Sequence, residues 1–261
     1  MRGSLALLAG TLLLANCSGN TNSSGPAAPL PTGQTGSIAE TSNTGNCYVA
    51  DGTTTCSTAL YKGTNPITAL ATLVSGSNYL YLGDSAGNIY DATVASTTPP
   101  TPATCYSGTQ KVLALAANTT ALLYATSGGV TTKTWSPPCT ITGTTTLSTS
   151  ITNASGLTYN TLAGEFVGVT SNAQYFTCST TSCTSPTPLP SLQDTSPNIT
   201  AIASDPTQSL VYILSIGAST NRIYFYYVSG NTLTYLGNYS GIELNYPSGI
   251  ALFQGAPMER I

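Results

Sequence analysis

The sequence predicts an all-β fold, a five-bladed β-propeller. Three observations predict it: a short apolar motif that returns about every 45 residues, Tyr-rich apolar segments after the copies, and turn residues between those segments. The motif is small–[Leu/Ile]–small. Its five copies are Ala69-Leu70-Ala71, Ala114-Leu115-Ala116, Gly156-Leu157-Thr158, Ala201-Ile202-Ala203 and Gly249-Ile250-Ala251. Their central residues lie 45, 42, 45 and 48 positions apart, the length of a four-stranded blade. Small residues around one aliphatic suit the innermost strand, where neighbouring blades crowd an axis. No stretch of the domain sustains a 3.6-residue period, so almost no helix is expected. The alternative fold, a β-sandwich, would also have many short strands but no reason for such a period.

The chain opens with Met1 and Arg2, a weakly positive start, and an apolar run from Leu5 to Ala15. A spanning helix needs about twenty apolar residues, so this shorter run is a signal-peptide core. It ends at Leu14-Ala15-Asn16-Cys17. That ending resembles the lipobox of bacterial lipoproteins, with Asn16 departing from the usual Gly, Ala or Ser. The resemblance covers the first seventeen residues. It implies lipidation, palmitate included, at Cys17, which becomes the mature N-terminus. Ser18 after it resembles the outer-membrane sorting class. The implied localisation is export and lipid anchoring in the bacterial envelope, at the outer membrane, without spanning it. Residues 1–16 are thus read as signal peptide. Residues 17–35, without a charge, form a lipidated disordered tether. Residues 36–261 make up the propeller.

Within that domain, Ser37-Ile38-Ala39, Cys47–Ala50 and Thr54-Thr55-Cys56 read as three strands of the last blade. The C-terminal copy at Ile250 would supply its fourth strand and close the ring, which protects the terminal edges. The other blades follow one plan. Tyr79–Leu82, Leu122–Ala125, Phe166–Val169 and Leu210–Leu214 are second strands, rich in aromatic and β-branched residues. Turn residues follow each of them: Asp84–Asn88, Ser127–Gly129, Ser171–Ala173 and Gly217–Asn221. Third strands come next, such as Asn88–Tyr90 and Arg222–Tyr227. The inner-strand text resembles the NHL/YVTN class of repeats over about residues 36–254, which implies the propeller independently of the spacing.

Charge and cysteine content bound the function. The chain has 6 Lys+Arg, 9 Asp+Glu and no His, a charged share of 6% against about a quarter in ordinary domains. Without His there is no Ser-His-Asp or Cys-His pair and no His-containing zinc site. So little positive charge excludes a nucleic-acid partner. With Cys17 lipidated, six cysteines remain, an even number in an exported chain. Cys47 and Cys56 face one another across an Asp51-Gly52 tip, and Cys178 and Cys183 do so across a two-residue tip. Cys105 and Cys139 pair by elimination. No metal, cofactor or catalytic residue is expected.

The carboxylates fall mostly in turns, where they accept backbone hydrogen bonds. Asp205 and Glu243 could reach axial mouths but do not obviously converge. Tyr224, Tyr226, Tyr227 and Trp135 are the candidate ligand-binding residues, able to stack on a sugar, although alternating Tyr in strands commonly packs between blades. The leading expectation is a non-catalytic protein-binding or scaffold module, held to the membrane by its lipid and facing an envelope protein or a glycan. A lectin-like propeller is the alternative, and a funnel-active glycoside hydrolase comes third.

Overall fold

The computed structural model describes residues 11–13, 38–41, 46–50, 59–62, 65, 67–75, 77–91, 103–194, 196–205, 208–217, 221–240 and 251–253. Among them every regular element is a strand. β1 (Thr11–Leu13), β2 (Ile38–Thr41), β3 (Asn46–Ala50) and β4 (Ala59–Lys62) precede four repeating units. The first unit is β5 (Ile67–Ser75), β6 (Ser77–Asp84), β7 (Ile89–Asp91) and β8 (Ala103–Tyr106). The second is β9 (Ala114–Ala117), β10 (Ala121–Thr126), β11 (Gly129–Ser136) and β12 (Thr140–Ser148). The third is β13 (Ala154–Asn160), β14 (Glu165–Thr170), β15 (Gln174–Cys178) and β16 (Thr187–Pro188). The fourth is β17 (Asn198–Ser204), β18 (Leu210–Ile216), β19 (Asn221–Ser229) and β20 (Thr232–Ser240), followed by β21 (Ala251–Phe253).

Each unit is an antiparallel sheet whose strands pair in chain order. The first strands of successive units meet: β5 touches β9, β9 touches β13, β13 touches β17 and β17 touches β21. The units are therefore blades, stacked face to face with the predicted small–aliphatic–small copies innermost. Alternation along each strand sends side chains to two neighbours. In the second blade Leu115, Leu122 and Tyr124 pack toward the first blade, while Ala114, Ala116, Leu123 and Ala125 pack toward the third. With an apolar layer on both faces, all six residues of β10 are buried. The small residues have a steric cause. A Cβ at Gly156 of β13 would lie 2.9 Å from both the Cγ2 and the backbone N of Ile202 on β17.

Among the described residues four four-stranded blades form, not the expected five. The C-terminal strand does not join the N-terminal strands: β21 pairs with β1, Leu252 opposite Leu12, and β2, β3 and β4 make a separate three-stranded sheet. Thr-Leu-Leu and Ala-Leu-Phe are both uncharged, whereas β2 carries Glu40, so the first pairing matches like surfaces. The described strand beside β3 is Ala59–Lys62, with Cys47 opposite Tyr61, and the expected strand at Thr54–Cys56 lies outside the described residues. Cys56 lies outside the described residues, as do Cys17 and the tether.

Candidate functional site

The second blade turns Leu122, Tyr124 and Trp135 toward the first, into a core shared with Tyr81, Ile89 and Val112. Trp135 sits 4.6 Å from the Tyr81 ring, centroid to centroid, and its Nε1 donates to the Asn118 carbonyl at 3.0 Å. Beyond this apolar part the two blades enclose a recess of about 150 Å³. Tyr106, Gln110, Tyr124, Thr126, Thr131 and Thr146 line it, with Gly87, Gly108 and Gly128 completing the wall.

The recess is held open by two local devices. The first is the β6–β7 turn. Buried Asp84 accepts from the N–H groups of Ala86 (2.9 Å) and Asn88 (2.7 Å), from the Asn88 amide (2.8 Å), the Tyr90 hydroxyl (3.0 Å) and the Asn65 amide (3.2 Å). Burial pushes the Asp84 carboxyl up, but the hydrogen bonds, those of Asn88 foremost, outweigh it and hold the carboxyl below its usual value. Gly87 in this turn has a φ of 100°, and a side chain there would run into the Gln110 carbonyl. The second device is Gln110, whose Oε1 accepts from the Thr126 hydroxyl at 2.8 Å and the Gly128 N–H at 3.1 Å.

A buried cation backs the recess. Lys133 is 4% exposed; its Nζ donates to Thr144 Oγ1 at 2.7 Å and lies 3.9 Å from the Tyr106 ring centroid and 5.8 Å from that of Tyr124. Both contacts are of the cation–π kind. Among the described residues the ion pair is Arg222–Asp194, at 2.9 Å, so Lys133 has no carboxylate at hand. The Tyr124 phenol is raised above its ordinary value, by burial first and then by the neighbouring Tyr106.

The fourth blade gathers a second polar cluster. Asp194 accepts from Arg222 Nε, the Ser215 hydroxyl and the Tyr224 hydroxyl, each at 2.9 Å. Asp205, also buried, accepts from the Tyr212 hydroxyl at 3.3 Å. Burial and then Asp205 push the Tyr212 phenol up to about 12. Glu165 is raised by burial, and one of its carboxylate oxygens is buried without a hydrogen bond.

The sequence-predicted residues separate accordingly. Cys105–Cys139 and Cys178–Cys183 are disulfides, with Cα atoms 5.0 Å and 4.1 Å apart. The first ties the outer strand of the first blade to the β11–β12 turn of the second. The second closes a hairpin in which the Ser179 N–H donates to the Ser182 carbonyl. The stacking platform is corrected: Tyr224, Tyr226 and Trp135 are buried between strands and blades, and only Tyr227 of the four is exposed, at 45%. Tyr224 and Tyr226 share the face of β19 that packs on the third blade, whereas Tyr227 alternates to the other, open face. Glu243 lies outside the described residues. Among the described residues no three His, Cys, Asp or Glu side chains group as for a metal, and no helix is long and apolar enough to cross a membrane. Sequence reasoning missed Lys133 and Tyr106; a lone Lys in a Thr-rich strand beside Trp135 was the available signal.

No protein-family model and no curated protein matches the chain. Solved structures do. A chain of the mitotic checkpoint complex matches with a TM-score of 0.54 and 12% identity, covering 93% of this chain and 88% of that one. The WD40 β-propeller domain of Doa1 matches with a TM-score of 0.53 and 14% identity, covering 79% and 66%. The fold is a β-propeller. A chain of the nidogen/laminin complex is similar too, with a TM-score of 0.56 and 12% identity over 83% and 98%. At these identities the likeness is one of fold.

Proposed function

We propose that this propeller is a non-catalytic protein-binding scaffold, held to the bacterial envelope by a lipid on Cys17. The observation that carries the scaffold reading is the pair of outer strands β12 and β20. Each is nine residues long, ends its sheet, and contains no charge and no proline, whereas β8 and β16 have four and two residues. Unpaired backbone groups along a long uncharged edge are a template for a strand from another protein. Leu236 on β20, 57% exposed, and Tyr227 beside that edge offer side-chain contact. Two of the similar structures are of protein complexes, which supports the same reading. Disulfides fit an oxidising compartment, in accord with export.

The test is in-cell photo-crosslinking from Thr142 and Leu236, with exposed Leu162 in the β13–β14 turn as control. The expected result is a discrete protein adduct from each edge position, the one from Leu236 being lost when Thr234→Lys adds a charge to β20. Adducts equal to those from Leu162 would overturn the scaffold reading. For the anchor, Cys17→Ala should abolish the lipid mass increment and the partition into membranes; unchanged mass and partition would sink it.

A further inference from the structure

Among the described residues, tyrosine hydroxyls donate to carboxylates of the same chain: Tyr90 to Asp84 at 3.0 Å, Tyr224 to Asp194 at 2.9 Å and Tyr212 to Asp205 at 3.3 Å. In the recess between the first two blades Tyr124 accepts from Thr131 and donates to Tyr106, so the Tyr106 hydroxyl ends that chain of donors. Tyr106 and Tyr124 line it side by side, their rings 5.5 Å apart. The Gln110 carbonyl oxygen is engaged by Thr126 and Gly128, while its amide N–H groups make no hydrogen bond in the described chain. Behind Tyr106 stands Lys133, 96% buried by its 4% exposure.

That lysine is the decisive feature. An ammonium has three protons to donate, and Lys133 places one on Thr144. Ring faces and one hydroxyl compensate only part of the cost of burying a charge. Asp84, the carboxylate of the Gly87 turn, already accepts five hydrogen bonds and makes no ion pair with Lys133. A cation against a phenol face also draws density from the ring and strengthens its hydroxyl as a donor. We infer that the recess binds a carboxylate brought from outside the chain, held by the Tyr106 hydroxyl at the end of the Thr131–Tyr124–Tyr106 chain and by the Gln110 amide, with Lys133 supplying the balancing charge through the Tyr106 ring. The assignment stands whether or not the outer strands bind a protein.

The carboxylate has two sources, a free small acid or the end of a polypeptide, and the experiment separates them. The purified full chain is dialysed against labelled acetate, triglycine or triglycinamide, with chloride matching the ionic strength. Emission of Trp135, two positions along β11 from Lys133, gives a second reading. Acetate should bind saturably at one site, about tenfold more weakly in Tyr106→Phe, which removes one charge-assisted hydrogen bond, and not measurably in Lys133→Met. Binding of acetate without triglycine assigns a free small acid, whereas binding of triglycine and not its amide assigns a chain end; either supports the recess. No saturable binding of acetate or triglycine, or unchanged affinity in a natively melting Tyr106→Phe, overturns it.

Discussion

Asp194 receives three hydrogen bonds from Arg222, Ser215 and Tyr224, and removing its charge isolates a largely covered guanidinium. Asp194→Ala should therefore lower stability by about 3 kcal/mol, read as a fall in the urea midpoint, with Asp194→Asn losing less because an amide oxygen still accepts. Asp84 tests the same chemistry through pH. Its carboxyl sits below its unfolded value, so its ionised form stabilises the fold above about pH 4 and that contribution is lost as the pH falls through the folded value. The stability difference between the native chain and Asp84→Asn should be constant from pH 7 to about pH 4 and shrink below it. A difference that grows in acid would contradict the assignment of Asp84 as a bonded carboxylate. Tyr212 behaves oppositely: raised to about 12, it favours the fold below about pH 10, and that contribution fades as the pH climbs through 12.

At the scale of the strand, close approach between inner strands sets the residue choice. Gly156→Val places branched carbons where Ile202 already stands, and should cost about 1–3 kcal/mol in denaturant titration. Gly164→Ala is the control, since a side chain there meets nothing within 4 Å and only the φ of 70° resists it, at about 1 kcal/mol. The disulfides differ in reach. Cys105–Cys139 spans 34 residues and joins two blades, so its loss should cost roughly 3–4 kcal/mol, more than the loss of Cys178–Cys183, which spans 5. These elements were legible in the sequence for local reasons: Leu122–Ala125 reads as a strand from its own composition, and Cys178–Cys183 follows from a two-residue tip. What was not legible depends on distant partners. Thr131-Thr132-Lys133-Thr134 reads as a solvated strand until Tyr106 of the preceding blade covers it. Tyr224 and Tyr226 read either as packing between blades or as a sugar platform, and the third blade set against them decides for packing. Nothing local to Ala251–Phe253 says whether Thr11–Leu13 or Ile38–Thr41 will pair with it.

At the scale of the whole molecule, the core among the described residues divides into clusters, three of them shared between two blades and one, with Ala201, Leu214 and Ile223, within the fourth blade. Val167, Val169 and Tyr175 of the third blade are buried with Ile199, Ile213 and Tyr224 of the fourth, while the third blade's other face buries Phe166 and Phe176 against Leu123 and Ala125 of the second. A blade that loses one neighbour exposes half of its apolar surface, and a four-stranded sheet with one apolar face in water is marginal. The loss should then pass along the stack. Trp135, the one tryptophan, reports from the far end of it, because it is packed at the interface between the first and second blades. A chain ending at Asp194 lacks the fourth blade but keeps every residue of that interface. If the blades fold as one cooperative unit, this truncated chain should show red-shifted Trp135 emission and rapid proteolysis. If Trp135 instead keeps its native emission and melts as in the full chain, the blades are independent nearest-neighbour repeats, as in a solenoid, and the cooperative account fails.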